Sequence, residues 1–145
     1  MKKVIFIGGQ LACGKTTLAR NLSSELNIDY FYKDIFKERL CDVIGFANRE
    51  ENLRLSRGAF YMFCHIAEQY INNGESLILE SNFRQEELDR LYKMFSDANY
   101  KVISIVLYGE EDVLYQRYIN RFKNENRHRA HANFETKEEF DYLLN

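Results

Sequence analysis

The chain has 145 residues, a length that suits one domain over residues 1–145, and its formal net charge is −2. This balance excludes a bulk electrostatic attraction to nucleic acid or to an anionic membrane. Hydrophobic residues make up 46% of the chain and charged residues 29%, as is typical of a soluble globular protein. No apolar run is long enough to span a bilayer, and the three cysteines lack paired or metal-type spacing. We therefore expect a cytoplasmic protein with free thiols.

Strand and helix patterns alternate along the chain. Short apolar runs predict strands at residues 3–8, 28–33, 77–79 and 102–107. Apolar residues at helical spacing predict helices at residues 15–26, 34–43, 51–72, 85–98, 110–122 and 134–144. This alternation indicates an α/β fold in which a parallel sheet of four to five strands has helices on both faces. Functional groups in such folds lie at the carboxyl ends of the strands.

The first strand runs into a glycine-rich segment, Gly9-Gln10-Leu11-Ala12-Cys13-Gly14-Lys15-Thr16, which satisfies the pattern G-x-x-x-x-G-K-[ST]. Its glycines let backbone N–H groups curl around phosphate, and the helix that follows adds its positive end. We expect Lys15 to reach the β- and γ-phosphates of ATP and the Thr16 hydroxyl to bind Mg²⁺, with Thr17 a further candidate at the α-phosphate. Because the segment lies between a strand and an amphipathic helix, the sequence predicts a three-layer P-loop NTPase fold.

Two classes of P-loop protein are disfavoured by missing motifs. Asp42-Val43-Ile44-Gly45 matches the D-x-x-G of GTPases, but it precedes the third strand, and no N-K-x-D is present. Leu55-Ser56-Arg57-Gly58 is a poor match to the transporter signature L-S-G-G-Q. What remains is the layout of a small kinase, which needs a base near the acceptor hydroxyl and cations over the transferring phosphoryl group.

Two carboxylates stand at predicted strand ends. Asp34 follows the second strand and is the candidate base, although Asp at this place is also a common N-cap. Glu80 ends the third strand and is a candidate for the magnesium site, either through a metal-bound water or on the substrate. Asn82 is interpreted as the N-cap of the next helix. Lys37 and Arg39 are either substrate-binding residues or surface charges.

A cationic segment over about residues 115–133 predicts a small helical lid. Arg117 and Arg121 lie four residues apart on a predicted helix, so that both face the same side. Arg127 follows them in a polar segment and is a further candidate for phosphate contact. The alternative for all three arginines is ordinary surface charge.

Three segments, together with the P-loop, resemble the AAA_33 group of P-loop kinases, which are relatives of zeta toxins, chloramphenicol phosphotransferase and the 5′-kinase domain of phage polynucleotide kinase. These segments are Tyr32-Lys33-Asp34-Ile35-Phe36-Lys37, Leu79-Glu80-Ser81-Asn82-Phe83 and the run from Arg117 to His131. The resemblance spans nearly the whole chain. It implies ATP and Mg²⁺ as the nucleotide and the metal.

The resemblance also implies residue roles. Asp34 would act as base toward the acceptor hydroxyl, Glu80 would lie near the metal or the substrate, and Arg117 and Arg121 would touch the phosphates. The motif Arg127-His128…His131 is similar to the R-H-x-x-H lid of these kinases, but Arg129-Ala130 replaces their Pro-Gly.

Two functions are compatible with this sequence. The first is a phosphotransferase that moves the γ-phosphate of ATP to a hydroxyl of a small molecule, a nucleotide sugar or a nucleic-acid end. The alternative is a nucleotide-binding regulator or degenerate kinase that hydrolyses ATP slowly or not at all. Asp34 separates the two functions, because a transferase needs a base on the acceptor side and a sensor does not.

Overall fold

The computed structural model describes residues 1–10 and 13–124 of the chain. Its elements, in chain order, are β1 (Lys3–Gly9), α1 (Lys15–Leu26), β2 (Asp29–Tyr32), α2 (Lys33–Ile44), α3 (Arg49–Asn73), β3 (Leu77–Glu80), α4 (Gln85–Asp97), β4 (Lys101–Leu107) and α5 (Glu111–Asn124). Each of these elements lies within two residues of its predicted bounds. The helix expected at residues 134–144 lies outside the described residues.

The four strands of the described chain form one parallel sheet in the order β2-β3-β1-β4. The parallel α/β architecture expected from the alternation of strands and helices is confirmed. Ile7 of β1 pairs with Glu80 of β3, and Glu80 pairs in turn with Tyr32 of β2. The carboxyl ends of these three strands therefore lie at one level along one edge of the sheet.

Helices cover both faces of the sheet because side chains of a strand point to alternate faces. Val4 and Phe6 of β1 pack into one buried cluster with Phe63 of α3 and Phe95 of α4. Ile5 and Ile7 pack on the other face, against α1, in a cluster that contains Leu18, Ala19 and Leu22. Each fully buried large apolar side chain contributes about 1.5 to 3 kcal/mol of transfer free energy, so both layers stabilise the sheet.

The long helix α3 is defined at both ends by its own sequence. Asn48 caps its N-terminus, where its Oδ1 accepts a hydrogen bond of 2.9 Å from the backbone N–H of Glu51. Gly74 ends the helix with a left-handed φ of 69°, and its N–H donates to carbonyls of the last turn. In the described ranges, no helix combines the length and the apolar character that crossing a bilayer requires.

Candidate active site

The P-loop is held against the end of β4 by contacts that require glycine. Gly9 has a φ of 136°, and a Cβ atom there would lie 2.3 Å from the carbonyl oxygen of Leu107. Gln10 donates its backbone N–H to the same carbonyl at 3.2 Å, and its side-chain Oε1 accepts from the N–H of Gly109 at 3.1 Å. These contacts fix the start of the P-loop beside the turn that leads into α5.

Lys15 lies in the first turn of α1, directly after Gly14, which adopts the left-handed conformation as N-cap. The Lys15 Nζ donates to the carbonyl oxygens of Gln10, at 2.9 Å, and of Gly9, at 3.3 Å. The ammonium group is thus held against the backbone of the P-loop. Leu11 and Ala12, two further positions of the predicted phosphate site, lie outside the described residues.

Thr16 and Glu80, which are far apart in sequence, meet at the carboxyl edge of the sheet. The Thr16 hydroxyl donates a hydrogen bond of 2.9 Å to Oε2 of Glu80, and Glu80 is only 4% exposed. A hydroxyl and a carboxylate are oxygen ligands of the kind that Mg²⁺ prefers. Within residues 1–10 and 13–124, no three His, Cys, Asp or Glu side chains form a metal cage of their own. Such a pair suits a Mg²⁺ ion that phosphate oxygens and water also coordinate.

Removing either partner should raise the magnesium concentration that half-maximal activity requires. If this pair holds Mg²⁺, we expect Thr16→Ala and Glu80→Gln each to raise that concentration about tenfold or more, because each would remove an oxygen ligand or its hydrogen-bonded partner. The loss of Mg²⁺ affinity in the double variant should be smaller, in free energy, than the sum of the losses in the two single variants, because the two groups are in direct contact. Magnesium titrations of ATP turnover at fixed ATP measure these effects. Full turnover in excess EDTA would contradict a metal role for this pair.

Asp34 lies in the first turn of α2, at the same edge as the P-loop. The helix begins at Lys33 with Tyr32 in the N-cap position, so the alternative that Asp34 is merely the N-cap is wrong. Phe36 packs edge-on against Phe63 of α3 with ring centroids 5.6 Å apart, which holds α2 in place. The Asp34 side chain is half-buried, so it is both positioned and reachable.

The helix after β3 does not use Asn82 as its N-cap. Helix α4 begins at Gln85 with Arg84 in the N-cap position, and the N–H of Arg84 donates to Oε1 of Glu87 at 3.0 Å. The interpretation of Asn82 as N-cap is therefore wrong, because the glutamate one turn inside the helix takes over the capping.

Two lysines lie on the buried face of α2. Lys33 Nζ lies 3.6 Å from Oε2 of Glu87, and both side chains are about nine-tenths buried. Lys37 is only 6% exposed, so the alternative that it is a surface charge is wrong. Burial, reinforced by the charges of Lys33 and Arg49, lowers the pKa of Lys37 to about 8, although Asp34 acts in the opposite direction. Arg39 is exposed, as expected of a surface charge.

Lys37→Met should stabilise the fold near neutral pH, and this gain should shrink as the pH rises. Folding lowers the pKa of Lys37 from 10.5 to about 8, so between these values the unfolded chain binds the extra proton. The free energy of unfolding of the wild-type protein therefore rises with pH across this window, whereas that of the variant does not. Near neutral pH the variant avoids the cost of burying a charged ammonium, roughly 3 kcal/mol. Denaturant unfolding of both proteins at about pH 7 and about pH 10 measures the difference. If the difference in stability between the two proteins stays constant with pH, the pKa of Lys37 is not lowered by folding.

The predicted lid begins on α5, which follows the turn at Gly109. Among the residues that the structure describes, Arg117 is exposed on this helix. Arg121 belongs to the same helix, but its side chain lies outside the described part of the chain, as does Arg127. Thr17 is exposed at the start of α1.

A cavity of about 630 Å³ lies away from the P-loop, between the C-terminal half of α2 and the N-terminal half of α3. Its walls are mostly apolar and include Leu40, Ile44, Phe46 and Leu55. Neither Asp34 nor any residue of the P-loop lines it. The P-loop edge of the sheet and this cavity are therefore separate features.

Comparison with solved structures shows the same fold in small kinases. A kinase candidate from Chloroflexus aurantiacus J-10-fl matches with a TM-score of 0.89 and 31% identity, over 99% of this chain and 78% of that one. The APS kinase of Mycobacterium tuberculosis, solved with AMPPNP and APS, matches with a TM-score of 0.62 and 15% identity, over 88% and 77% of the two chains. Shikimate kinase from Bacteroides thetaiotaomicron gives a TM-score of 0.59 and 19% identity, over 98% and 76%.

Sequence comparison identifies the family. No curated protein sequence matches the chain significantly. A family model does match, over residues 5–141, and its description is AAA domain, AAA_18. The P-loop at the end of β1 and the parallel sheet around it agree with this match, as does the likeness to kinase structures. The chain belongs to the AAA_18 family and has the fold of P-loop kinases.

Proposed function

We propose that this protein is an ATP-dependent kinase that transfers the γ-phosphate of ATP to a hydroxyl of an acceptor. The observation that carries the proposal is the hydrogen bond of 2.9 Å from Thr16 to Glu80, which joins the P-loop to the end of β3. Asp34 stands at the next strand end along the same edge, where an acceptor can approach the nucleotide. The likeness to structures of small kinases supports the same proposal.

The proposed roles follow from the chemistry of each side chain. The backbone of residues 9–16 and the ammonium of Lys15 bind the phosphates of ATP, and Thr17 is the further residue proposed at the α-phosphate. Thr16 and Glu80 would hold Mg²⁺, which when bound offsets the negative charge of the phosphate oxygens. Asp34 accepts the hydrogen bond of the acceptor hydroxyl, orients its oxygen toward the γ-phosphate and takes its proton.

The lid would supply further positive charge. Arg117, Arg121 and Arg127 are the residues that we propose for this task, on a lid covering about residues 115–133 of a single domain. Charge develops on the oxygens of the transferring phosphoryl group, so fixed cations lower the barrier for transfer. The exposure of Arg117 on α5 is compatible with this role.

The narrower resemblance to the AAA_33 group stays a prediction, as does a cytoplasmic location. The acceptor classes to be tested are small molecules, nucleotide sugars and nucleic-acid ends. Small-molecule kinases among the structural neighbours make the first class the one to test first.

Release of ADP in the presence and absence of pooled hydroxyl compounds tests the proposal. A kinase should release ADP at least about tenfold faster when the pool contains its acceptor, because the oriented hydroxyl replaces a poorly oriented water. A slow rate that no pool accelerates would favour the alternative, a nucleotide-binding regulator. Lys15→Ala provides the background for contaminating ATPases, since it removes the charged contact to phosphate.

A further inference from the structure

Gln10, the second residue of the P-loop, bonds to two different parts of the candidate site. On one side, its backbone N–H donates to the carbonyl oxygen of Leu107 at 3.2 Å, and its Oε1 accepts from the N–H of Gly109 at 3.1 Å. On the other side, its carbonyl oxygen accepts from Nζ of Lys15 at 2.9 Å and from the thiol of Cys13 at 2.6 Å. Gln10 therefore joins the lysine proposed to bind phosphate to the turn that leads into α5.

This turn and the P-loop are packed too closely to move independently. A Cβ atom at Gly9 would lie 2.3 Å from the carbonyl oxygen of Leu107, and one at Gly109 would lie 2.8 Å from Cδ2 of Leu114. Leu114 is fully buried and lies in the first turn of α5. Because close-packed groups transmit strain, a displacement of the P-loop reaches the start of α5.

The P-loop pattern alone does not require glutamine at residue 10. The pattern G-x-x-x-x-G-K-[ST] accepts any residue there, since backbone N–H groups bind the phosphate. The hydrogen bond from Gly109 needs a side chain that ends in an acceptor and is long enough to reach the turn. Glutamine meets both conditions, so its side chain serves the turn and not the phosphate.

Binding of ATP should change the bonds of Gln10. The Lys15 ammonium donates to the carbonyl oxygens of Gln10 and Gly9. Charged phosphate oxygens are stronger acceptors for an ammonium than peptide carbonyls are, so ATP competes with these carbonyls for Lys15. Filling of the P-loop therefore acts on the same residue that holds the turn before α5.

A small change at this turn has a larger effect further along α5. Arg117 lies six residues beyond Glu111, the first residue of the helix, or about 9 Å along its axis. A tilt of about 10° at the turn would therefore move the backbone of Arg117 by roughly 1.5 Å. Misplacement of a catalytic group by about 1 Å can cost about 10²-fold in rate, so the orientation of α5 matters for a lid arginine.

We propose that Gln10 is a positioning residue that couples the filled P-loop to the lid helix α5. Its side chain holds the N–H of Gly109, and with it the first turn of α5, in the orientation that directs Arg117 to the transferring phosphoryl group. The side chain acts through Arg117 and does not touch the reacting atoms. The proposal rests on the kinase function proposed above.

Hydrogen exchange tests the coupling without phosphoryl transfer. NMR follows the backbone amides from Gly109 to Leu114 in the wild type, in Gln10→Met and in Gln10→Glu, each with and without saturating Mg²⁺ and a non-hydrolysable ATP analogue. We expect the analogue to slow exchange of these amides about tenfold or more in the wild type and to have little effect on them in Gln10→Met, which keeps the length of the side chain but lacks the oxygen. Gln10→Glu, whose carboxylate accepts the same hydrogen bond, should behave as the wild type does.

Gln85→Met is the matched control, because it removes an exposed glutamine of α4 whose side chain donates to Asp89 at 2.8 Å. The exchange of the α5 amides in this control should equal that in the wild type. An analogue effect of the same size in the wild type and in Gln10→Met, or the lack of an effect in the wild type, would overturn the proposal.

Transfer kinetics then test whether the coupling acts through the lid. Gln10→Met should lower kcat about tenfold or more while the KM for ATP changes less than about threefold, and Gln10→Glu should restore most of the loss. Added to Arg117→Ala, Gln10→Met should cause little further loss, because the two residues act through one chain of contacts. Losses that multiply in the double variant would overturn the proposal and leave the kinase function in place. Coupled exchange without transfer to any acceptor would instead reject the kinase function and retain Gln10 as the link between the P-loop and α5.

Discussion

Lys15→Ala should weaken the binding of MgATP about 30- to 150-fold, which corresponds to roughly 2 to 3 kcal/mol for loss of hydrogen bonds from a charged donor. The Lys15 side chain bonds only to carbonyl oxygens of the P-loop itself in the described part of the chain, and it is not part of either buried cluster. The melting temperature should therefore change by less than about 3 °C. Calorimetric titration with MgATP and a thermal melt measure both quantities.

Lys93→Ala is the matched control for this substitution, because it removes an exposed lysine whose contact is a surface ion pair with Asp97. This control should bind ATP with wild-type affinity. Equal affinity of the Lys15 variant and the wild type would show that the glycine-rich segment is not the phosphate site.

Asp34→Asn should reduce phosphoryl transfer about 10²- to 10⁴-fold, the range that general base catalysis contributes. The amide keeps the shape of the carboxylate but cannot accept the proton of the acceptor hydroxyl. Affinity for ATP should stay within about twofold, because Asp34 is proposed to contact the acceptor and not the nucleotide. Initial rates of transfer at saturating ATP, together with calorimetry, measure the two effects.

The structure supplies a control on the same helix. Asp42→Asn removes an exposed carboxylate two turns beyond Asp34 and should leave transfer unchanged. If the folded fraction of Asp34→Asn keeps full transfer activity, Asp34 has no catalytic role and contributes only to the stability of α2. The base would then have to be sought elsewhere, with Glu80 as the next carboxylate at the edge.

Much of the fold follows from local patterns. The apolar runs of β1 and β3 and the leucines of α1 determine their elements because each period matches one type of secondary structure. The order β2-β3-β1-β4 is not contained in these patterns, since it depends on which strands pair across the sheet. The N-cap of α4 also depends on a contact that the sequence pattern does not contain. Asparagine is a favourable N-cap residue, but the hydrogen bond from the N–H of Arg84 to Glu87 determines where the helix begins.

The part of the candidate site that one contiguous motif forms could be predicted from the sequence. The contacts between residues far apart in the sequence were harder to predict. The P-loop is a contiguous pattern, and Glu80 could be placed near it because both follow strands. The direct bond from Thr16 to Glu80 needs the sheet register, as does the contact of Lys33 with Glu87. The depth at which Lys37 lies depends on how α2 packs against α3, which helical periodicity alone does not specify for a charged residue.

The most direct test of the central claim follows the γ-phosphate itself. The wild-type protein is incubated with Mg²⁺ and γ-labelled ATP in the presence of pooled hydroxyl acceptors that include carboxylates and phosphate esters, and the labelled products are separated. We expect label to appear in a new phosphoester, and we expect this product to be lost in Asp34→Asn while ATP still binds. Label found only in ATP and inorganic phosphate across all pools would contradict the claim that this protein is a kinase.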